Sequence, residues 1–235
     1  MKFSSAFFHI FLISLCAFAA PVIGGNLTEW TYIDPGSEQE LALNESLGLV
    51  PPENLLMSPE EVHLRSQAAG GAQEHPGASA VELFSYDSTV FNAAGKYHLV
   101  QQQAIKILNN RGAEEHGDVR LHYGLPYDRT RVLKAFVLQP DGAVINLASD
   151  HIQDVSDSED MDANIYEPIW RVIVLSFPGV KPGSTIYWAY EHADIKPRAP
   201  ESFQWGHTFR STIPIQSARL RLSGPAGMPL RWYVA

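Results

Sequence analysis

Residues 174–192 read VLSFPGVKPGSTIYWAYEH, with two Pro-Gly pairs between two apolar runs. Pro178 and Pro182 cannot donate to a sheet ladder, and they bias the residue before them towards extended backbone. Gly179 and Gly183 can supply the positive φ that tight turns require. A phosphate-binding loop would open a helix, whereas STIYWAYE alternates like a strand. The stretch therefore predicts a connection between two β-strands and no ligand-binding loop.

Strand-like segments continue on both sides of this connection. From residue 80 onward the side chains alternate with period two, and no 15-residue helical pattern separates the segments. A tight turn is predicted at Pro140-Asp141-Gly142, inside RTRVLKAFVLQPDGAVINLA. The predicted fold class is all-β, either an antiparallel β-sandwich or a large curled sheet. The other strand-like segments are AVELFSYDSTVF (80–91), KYHLVQQQAIKILNN (96–110), PIWRVIVLSF (168–177), SARLRLSGP (217–225) and PLRWYVA (229–235).

Residues 1–19 are typical of a secretory signal peptide. Lys2 precedes a short apolar run, and Ala17-Phe18-Ala19 forms a cleavage site. The run is shorter than the roughly 20 residues of a membrane span, although an uncleaved anchor is the alternative. Cleavage would remove Cys16, the only cysteine, and with it any thiol nucleophile, thiolate metal site or disulfide. We expect a periplasmic or extracellular protein that leaves the membrane after cleavage.

Residues 20–79 are rich in proline and glycine and predict an irregular or helical lead-in segment before a β-domain at 80–235. Two short helices are expected there. The first would begin after Ser37. The second has a stronger start, since Ser58, Pro59 and Glu61 form a capping box with proline at the first helical position. Gly70-Gly71 would end it.

Composition limits the classes of function. The chain of 235 residues is 45% hydrophobic and 18% charged, which is enough apolar content for a core. Its formal net charge is -9, and no run of Lys or Arg compensates locally. A nucleic-acid partner is therefore not expected, because phosphate binding needs a basic patch.

Candidate catalytic and metal-binding residues are weakly marked. Ser184 follows a glycine but lacks a G-x-S-x-G motif, so a strand-edge serine is the preferred interpretation. His116, Asp118 and His122 could meet at a metal, although their spacing is unspecific. The acidic run 154–164 opens like a calcium loop at Asp160, Asp162 and Asn164. It then places Ile165 where glycine is needed and Arg171 where glutamate is needed.

Two binding or catalytic alternatives remain open from the residues alone. Glu191 and Glu201 lie near aromatic residues and could pair as the carboxylates of a glycan hydrolase. Trp188, Trp205 and Trp232 could instead form the surface of a stand-alone carbohydrate- or protein-binding β-sandwich, although sheet packing is the commoner use of such residues.

An ordered series of segments resembles a bacterial domain of unknown function found N-terminal to transglutaminase-like domains in exported proteins. The segments are ILNNRGAEE, the QPDG turn, SFPGVKPGS and the strand ending in Tyr190-Glu191, spread over about 150 residues. The resemblance implies an all-β, non-catalytic module. Catalysis would belong to a following transglutaminase-like peptidase domain with a Cys-His-Asp triad, which is the expected partner in the same polypeptide.

The resemblance assigns no functional residue. We therefore expect no catalytic, cofactor-binding or metal-binding residue in this chain, and no cofactor. Because LRWYVA stops inside a strand-like run, we also expect the β-domain at 80–235 to be truncated at its C-terminal end. The function predicted from the sequence is that of an exported accessory β-domain.

Overall fold

The computed structural model describes residues 56–91, 96–125, 127–156, 170–194, 196 and 211–224. The predicted signal peptide, the predicted helix after Ser37 and the strand-like segment 229–235 lie outside these ranges. No helix in the described ranges is long and apolar enough to cross a membrane.

The described chain is dominated by strands, which confirms the all-β prediction. Its two α-helices are short, and a single 3₁₀ turn covers Ser149–His151. In chain order the elements are α1 (Pro59–Ala68), β1 (Ala80–Phe91), β2 (Tyr97–Ile107), α2 (Asn110–His116), β3 (Asp118–Gly124), β4 (Asp128–Leu138), β5 (Val144–Asn146), β6 (Ile152–Ser156), β7 (Trp170–Ser176), β8 (Thr185–Asp194) and β9 (Ala218–Ser223).

The strands form a six-stranded sheet in the order β5-β4-β8-β2-β1-β9 and a three-stranded sheet in the order β3-β7-β6. Among the described strands, every pairing is antiparallel except that of β1 with β9, which is parallel. The sequence predicted antiparallel pairing throughout. Parallel neighbours need a long crossover, and here the whole of β2 to β8 lies between the two strands in the chain.

The principal core lies between the two sheets, as a sandwich requires. The large sheet contributes alternate residues of its central strands, and the small sheet contributes alternate residues of β3 and β7. Period-two alternation explains this division, since successive side chains of a strand point to opposite faces. The buried members include Ile105, Ile107, Ala135, Val137, Ile186 and Trp188 from the large sheet and Leu121, Tyr123, Ile173 and Leu175 from the small one.

Helix α1 covers the outer face of the large sheet. Its capping box is present as predicted: the Ser58 hydroxyl accepts from the Glu61 N–H, and the Glu61 carboxylate accepts from the Ser58 N–H. Val62 is fully buried in a second core with Phe84 and Tyr187. At the other end, Lys106 Nζ of β2 donates to the backbone carbonyls of residues 66 and 70, 2.7 and 2.5 Å away. These two bonds hold the C-terminal end of α1 against the sheet.

The PGVKPG segment joins β7 to β8, which confirms its interpretation as a strand connection. The two strands belong to different sheets, so the segment passes from one layer of the sandwich to the other. Gly179 and Gly183 have φ values of 67° and 87°, which L-residues with a side chain rarely adopt. The QPDG turn likewise connects antiparallel β4 and β5, with Gly142 at φ 87°.

Helix α2 was not predicted from the sequence. Its N-cap is Asn109, whose side chain accepts from the Gly112 N–H at 3.0 Å. Gly112 is buried because the helix lies directly on the backbone before β1: a Cβ there would be 2.1 Å from the Ser79 carbonyl oxygen. The seven-residue helix is too short for a visible apolar period, which is why the pattern missed it.

Candidate functional site

Three potential metal ligands meet at one end of the large sheet, where β4 begins and β8 ends. Asp128 is paired in register with Asp194, and Thr130 is paired with His192. Residues two apart on a strand share a face, so Asp128, His192 and Asp194 all point to the side of the sheet that faces the small sheet. One ligand atom from each lies within 4.8 Å of the others. In the described ranges, these two carboxylates and one imidazole form the group of potential ligands that could hold a metal ion.

Asp128 is held by the turn that brings the chain from the small sheet to the large one. Its carboxylate accepts a short hydrogen bond from the Gly124 N–H through Oδ1. The other oxygen, Oδ2, lies 4.0 Å from His192 Nε2. Asp128 is 5% exposed, so its negative charge is largely removed from water. A charge in that position is costly unless a positive group is near.

His192 and Asp194 are positioned by neighbours on β4 and β2. Thr130 Oγ1 lies 2.8 Å from His192 Nδ1, and the Tyr97 ring stacks on the imidazole with centroids 5.6 Å apart. The Tyr97 N–H donates to Asp194 Oδ2 at 3.3 Å. The hydrogen bond at Nδ1 orients the ring so that Nε2 faces Asp128. All three side chains are therefore oriented towards one small volume.

Thr130, His192 and Asp128 superficially resemble a nucleophile, a base and an orienting acid. In such a triad both contacts to the imidazole are hydrogen bonds of about 2.6–3.2 Å. Here only the contact from Thr130 has that length, because Asp128 Oδ2 is 4.0 Å from the ring nitrogen. The arrangement is better suited to holding a cation among two carboxylates and an imidazole than to activating a hydroxyl.

A second buried group lies on the opposite face of the same sheet. Glu191 of β8 accepts from Arg131 Nε at 2.7 Å and lies 3.4 Å from His98 Nε2. Burial raises the pKa of the Glu191 carboxyl, but the hydrogen bonds and charges of His98 and Arg131 outweigh it and leave the pKa below its ordinary value. Glu191 is thus an ionised, paired carboxylate.

The residues proposed for glycan chemistry do not form a site in the described structure. Glu191 is engaged by Arg131 and His98, and Glu201 lies outside the described residues. Trp188 is 5% exposed and belongs to the core between the sheets, so it cannot stack on a sugar at the surface. The prediction that Trp188 forms part of a binding surface is thereby corrected. Trp205 and Trp232 lie outside the described residues.

Ser184 is fully buried at the start of β8. Its hydroxyl accepts from the Lys181 N–H at 3.3 Å and donates to Gln139 at 3.5 Å. These contacts close the turn between Pro182 and the strand, as expected for a strand-edge serine.

The metal-site candidates from the sequence are also placed differently. His116 ends α2, and Asp118 and His122 lie on β3, without joining the three-ligand group. Burial, only partly offset by Glu115, lowers the pKa of the His116 imidazole. In the acidic run, Asp154 is bound by Arg171 Nε at 2.9 Å, and residues 157–164 lie outside the described residues.

Neither Asp128 nor Asp194, nor the pairing of either with His192, was predicted from the sequence. Asp128 stands in LPYDRT and Asp194 in EHADIK, about 65 residues apart, and neither has metal-ligand spacing. Only the register of β4 with β8 brings them together. The one local signal is H-x-D at His192 and Asp194 on a strand, a spacing that puts both side chains on one face.

Comparison with known families matches residues 93–235 to a family described as a Domain of Unknown Function with solved-structure structure, DUF3857. The match covers more than half of the chain, and the chain belongs to this family. The sequence prediction of a domain of unknown function is thereby confirmed. No curated protein matches the chain.

Solved structures show a similar fold. A "putative protease" from Parabacteroides distasonis ATCC 8503 superposes with a TM-score of 0.59 and 17% sequence identity, over 64% of this chain and 30% of that one. The present chain therefore spans less than a third of that protein. A CBM3a-L domain from scaffoldin cipA of Clostridium thermocellum matches over 56% of this chain and 79% of its own, at 10% identity and a TM-score of 0.28, too low to support an argument.

Proposed function

We propose that this protein is a non-catalytic, exported β-domain that serves a transglutaminase-like peptidase domain of the same polypeptide. The observation that carries the proposal is the likeness to the Parabacteroides protein, in which the shared fold occupies only 30% of a much longer chain. That protein is described as a "putative protease", and 70% of its chain lies outside the shared fold. For this polypeptide, we propose that catalysis belongs to a part outside the shared fold.

The chemistry of the described residues supports an accessory role. They include no cysteine, since Cys16 lies outside the described ranges, so they offer no thiolate nucleophile. Ser184 is fully buried, and the Glu191 carboxylate is engaged by Arg131 and His98. Export is proposed from the signal-like residues 1–19.

The coding region downstream of Ala235 tests the proposal most directly. We expect the reading frame to continue into a domain that carries Cys, then His, then Asp. A stop codon directly after Ala235 would contradict the accessory role, because the proposed catalytic partner would not exist in this polypeptide.

An activity comparison provides a second test. The full-length protein and its downstream domain alone should both cleave or modify the same peptide amide, whereas this chain alone should not. Hydrolysis of peptides or glycans by this chain alone, abolished by Glu191→Gln or Ser184→Ala, would contradict the proposal.

A further inference from the structure

We propose that Asp128, His192 and Asp194 form a binding site for a divalent transition-metal ion of the zinc class. The site would lie between the two sheets, at the end where β4 begins and β8 ends. It is independent of the proposed accessory function, because a structural metal is compatible with a catalytic or a non-catalytic domain.

The electrostatics of the group favour a bound cation. Two carboxylates offer oxygens within 4.8 Å of each other, and one of them, Asp128, is 5% exposed. Like charges this close repel each other, and the burial of Asp128 adds a desolvation cost. A positive ion between them relieves both costs.

The spacing between the ligand atoms suits a metal better than a direct ion pair. The 4.0 Å between Asp128 Oδ2 and His192 Nε2 exceeds a hydrogen bond, whose heavy atoms lie about 2.7–3.2 Å apart. Two ligands bound at about 2.1 Å to one tetrahedral ion lie roughly 3.4 Å apart. Bringing Asp128 Oδ2 and His192 Nε2 from 4.0 Å to that separation needs a shift of about 0.6 Å.

The neighbouring residues orient the three ligands by hydrogen bonds of the kind usually found in metal sites. A metal-bound histidine commonly donates its second ring N–H to an oxygen, which fixes the tautomer and the ring orientation. Thr130 Oγ1 occupies that position, 2.8 Å from His192 Nδ1. The carboxylates are likewise held by backbone N–H groups: Gly124 binds Asp128, and Tyr97 binds Asp194. The three ligands come from β4 and β8 of the large sheet, and the Gly124 N–H of β3 connects Asp128 to the small sheet.

The donor set selects the class of ion. One imidazole and two carboxylates suit Zn²⁺ or Mn²⁺, whereas Ca²⁺ prefers six to eight oxygens and Mg²⁺ prefers oxygen ligands with several waters. Three protein ligands leave at least one coordination position for water, as in open zinc sites. Zn²⁺ is therefore the primary probe, and Mg²⁺ is the comparison ion.

The test uses the chain without an affinity tag, freed of metal with a chelator that is then dialysed away. Isothermal titration with Zn²⁺ should show one ion per chain, bound with a Kd in the micromolar range or tighter. Saturating Zn²⁺ should raise Tm by roughly 5 °C or more, because an ion that binds only the folded state stabilises it. Mg²⁺ at the same concentration should shift Tm by less than about 1 °C.

Variants locate the ion. Asp194→Asn and His192→Gln preserve side-chain size and should each weaken Zn²⁺ binding by at least tenfold. His122→Gln is the matched control: it removes an exposed imidazole on β3 and should leave Kd within about twofold. Co²⁺ provides a spectroscopic readout, since a four-coordinate site gives intense visible absorption that should disappear in His192→Gln.

Three results would overturn the proposal. They are the absence of stoichiometric Zn²⁺ binding by the wild-type chain, unchanged binding in folded Asp194→Asn and His192→Gln, and an equal loss in His122→Gln. If Asp128→Asn fails to fold, the other two variants still decide the question.

Discussion

Glu191 shows how a single buried carboxylate depends on its neighbours. It lies on the outer face of the large sheet between Arg131 of β4 and His98 of β2. Burial alone would raise the pKa of the carboxyl, yet its partners hold the pKa below the ordinary value. A group whose pKa is lowered by folding contributes stability above its unfolded pKa of about 4.3, and this contribution is lost as the pH falls through the folded pKa.

We predict that Glu191→Gln lowers the free energy of unfolding by about 1–3 kcal/mol at pH 7, because Arg131 and His98 lose a charged acceptor. The difference from wild type should shrink as the pH falls below the unfolded pKa of about 4.3, because the unfolded carboxyl then binds protons more readily than the folded one, whose pKa is lowered. Urea unfolding followed by circular dichroism at pH 7 and pH 3.5 measures both values.

Glu114→Gln is the matched control, since it makes the same chemical change at an exposed position of α2. Its effect should stay within about 0.5 kcal/mol at both pH values. A Glu191→Gln effect of equal size at pH 7 and pH 3.5 would show that packing, not charge, explains the loss.

The sequence singled out Glu191 as a carboxylate near aromatic residues, but it could not identify the residues that bind this carboxylate. His98 and Arg131 lie about 60 or more positions away, on strands whose register is decided by core packing and bulges. The cluster of Asp128, His192 and Asp194 escaped prediction for the same reason. Residue-scale chemistry in this fold is created by strand pairing.

Helix α1 is the element whose contribution is easiest to test. It buries Val62 completely but leaves Leu64, two residues later, 65% exposed. Val62→Ala should therefore lower the free energy of unfolding by about 1–3 kcal/mol, through lost burial and a cavity above Phe84 and Tyr187.

Leu64→Ala on the same helix removes a larger side chain but should change stability by less than about 0.5 kcal/mol. Chemical denaturation of the two variants measures the contrast. Equal effects would mean that α1 does not pack on the sheet in solution, and that the unit folds without the lead-in segment.

Helix α2 depends on a glycine for its position. On helix propensity alone, Gly112→Ala would stabilise the protein by about 1 kcal/mol. We predict the opposite sign, a loss of about 1–3 kcal/mol, because the new Cβ would lie 2.1 Å from the Ser79 carbonyl oxygen. Thermal unfolding of the variant measures the sign directly.

Gly71→Ala is the control for this substitution. A Cβ at Gly71 would meet only the Glu74 carboxylate at an ordinary 3.7 Å, and the backbone there does not need a positive φ. Its Tm should match wild type within about 2 °C. A Tm for Gly112→Ala at or above the wild-type value would mean that α2 can move away from the strand.

The two helices show which elements local sequence can predict. The start of α1 is specified by adjacent residues, so Ser58, Pro59 and Glu61 were sufficient to predict it. The close approach of α2 at Gly112 involves residue 79 on another segment, and no short window of sequence contains both. The same holds for the PGVKPG turn, whose glycines predicted a connection but not the change of sheet.

At the scale of the molecule, the folded unit begins before the residues that match the family. The match starts at residue 93, yet β1 pairs with β2 on one side and β9 on the other, inside the large sheet. We predict that a chain starting at residue 93 does not fold, because it lacks Val81, Leu83 and Phe84 and exposes the edge of β2. Far-UV circular dichroism and a thermal melt measure the outcome.

A chain starting at residue 56 should unfold cooperatively, with a Tm near that of the full sequence. Of the described helices and strands, a chain starting at residue 78 lacks only α1, and it should fold with a lower Tm because the outer face is uncovered. Cooperative unfolding of the chain from residue 93 would show that β1 is dispensable.

The parallel pairing of β1 with β9 also determines when the large sheet can be completed. Ser85 pairs with Ala218, so most of the chain must emerge from the ribosome or a translocon before this contact forms. Closing so long a loop is entropically costly, and folds dominated by distant contacts fold slowly. Until then β1 presents an unpaired edge, the kind of surface that chaperones bind and that associates with other chains. The pairing of β9 with β1 therefore completes the large sheet late in folding. Variants that weaken this pairing should increase aggregation during synthesis more than they lower the stability of the folded protein.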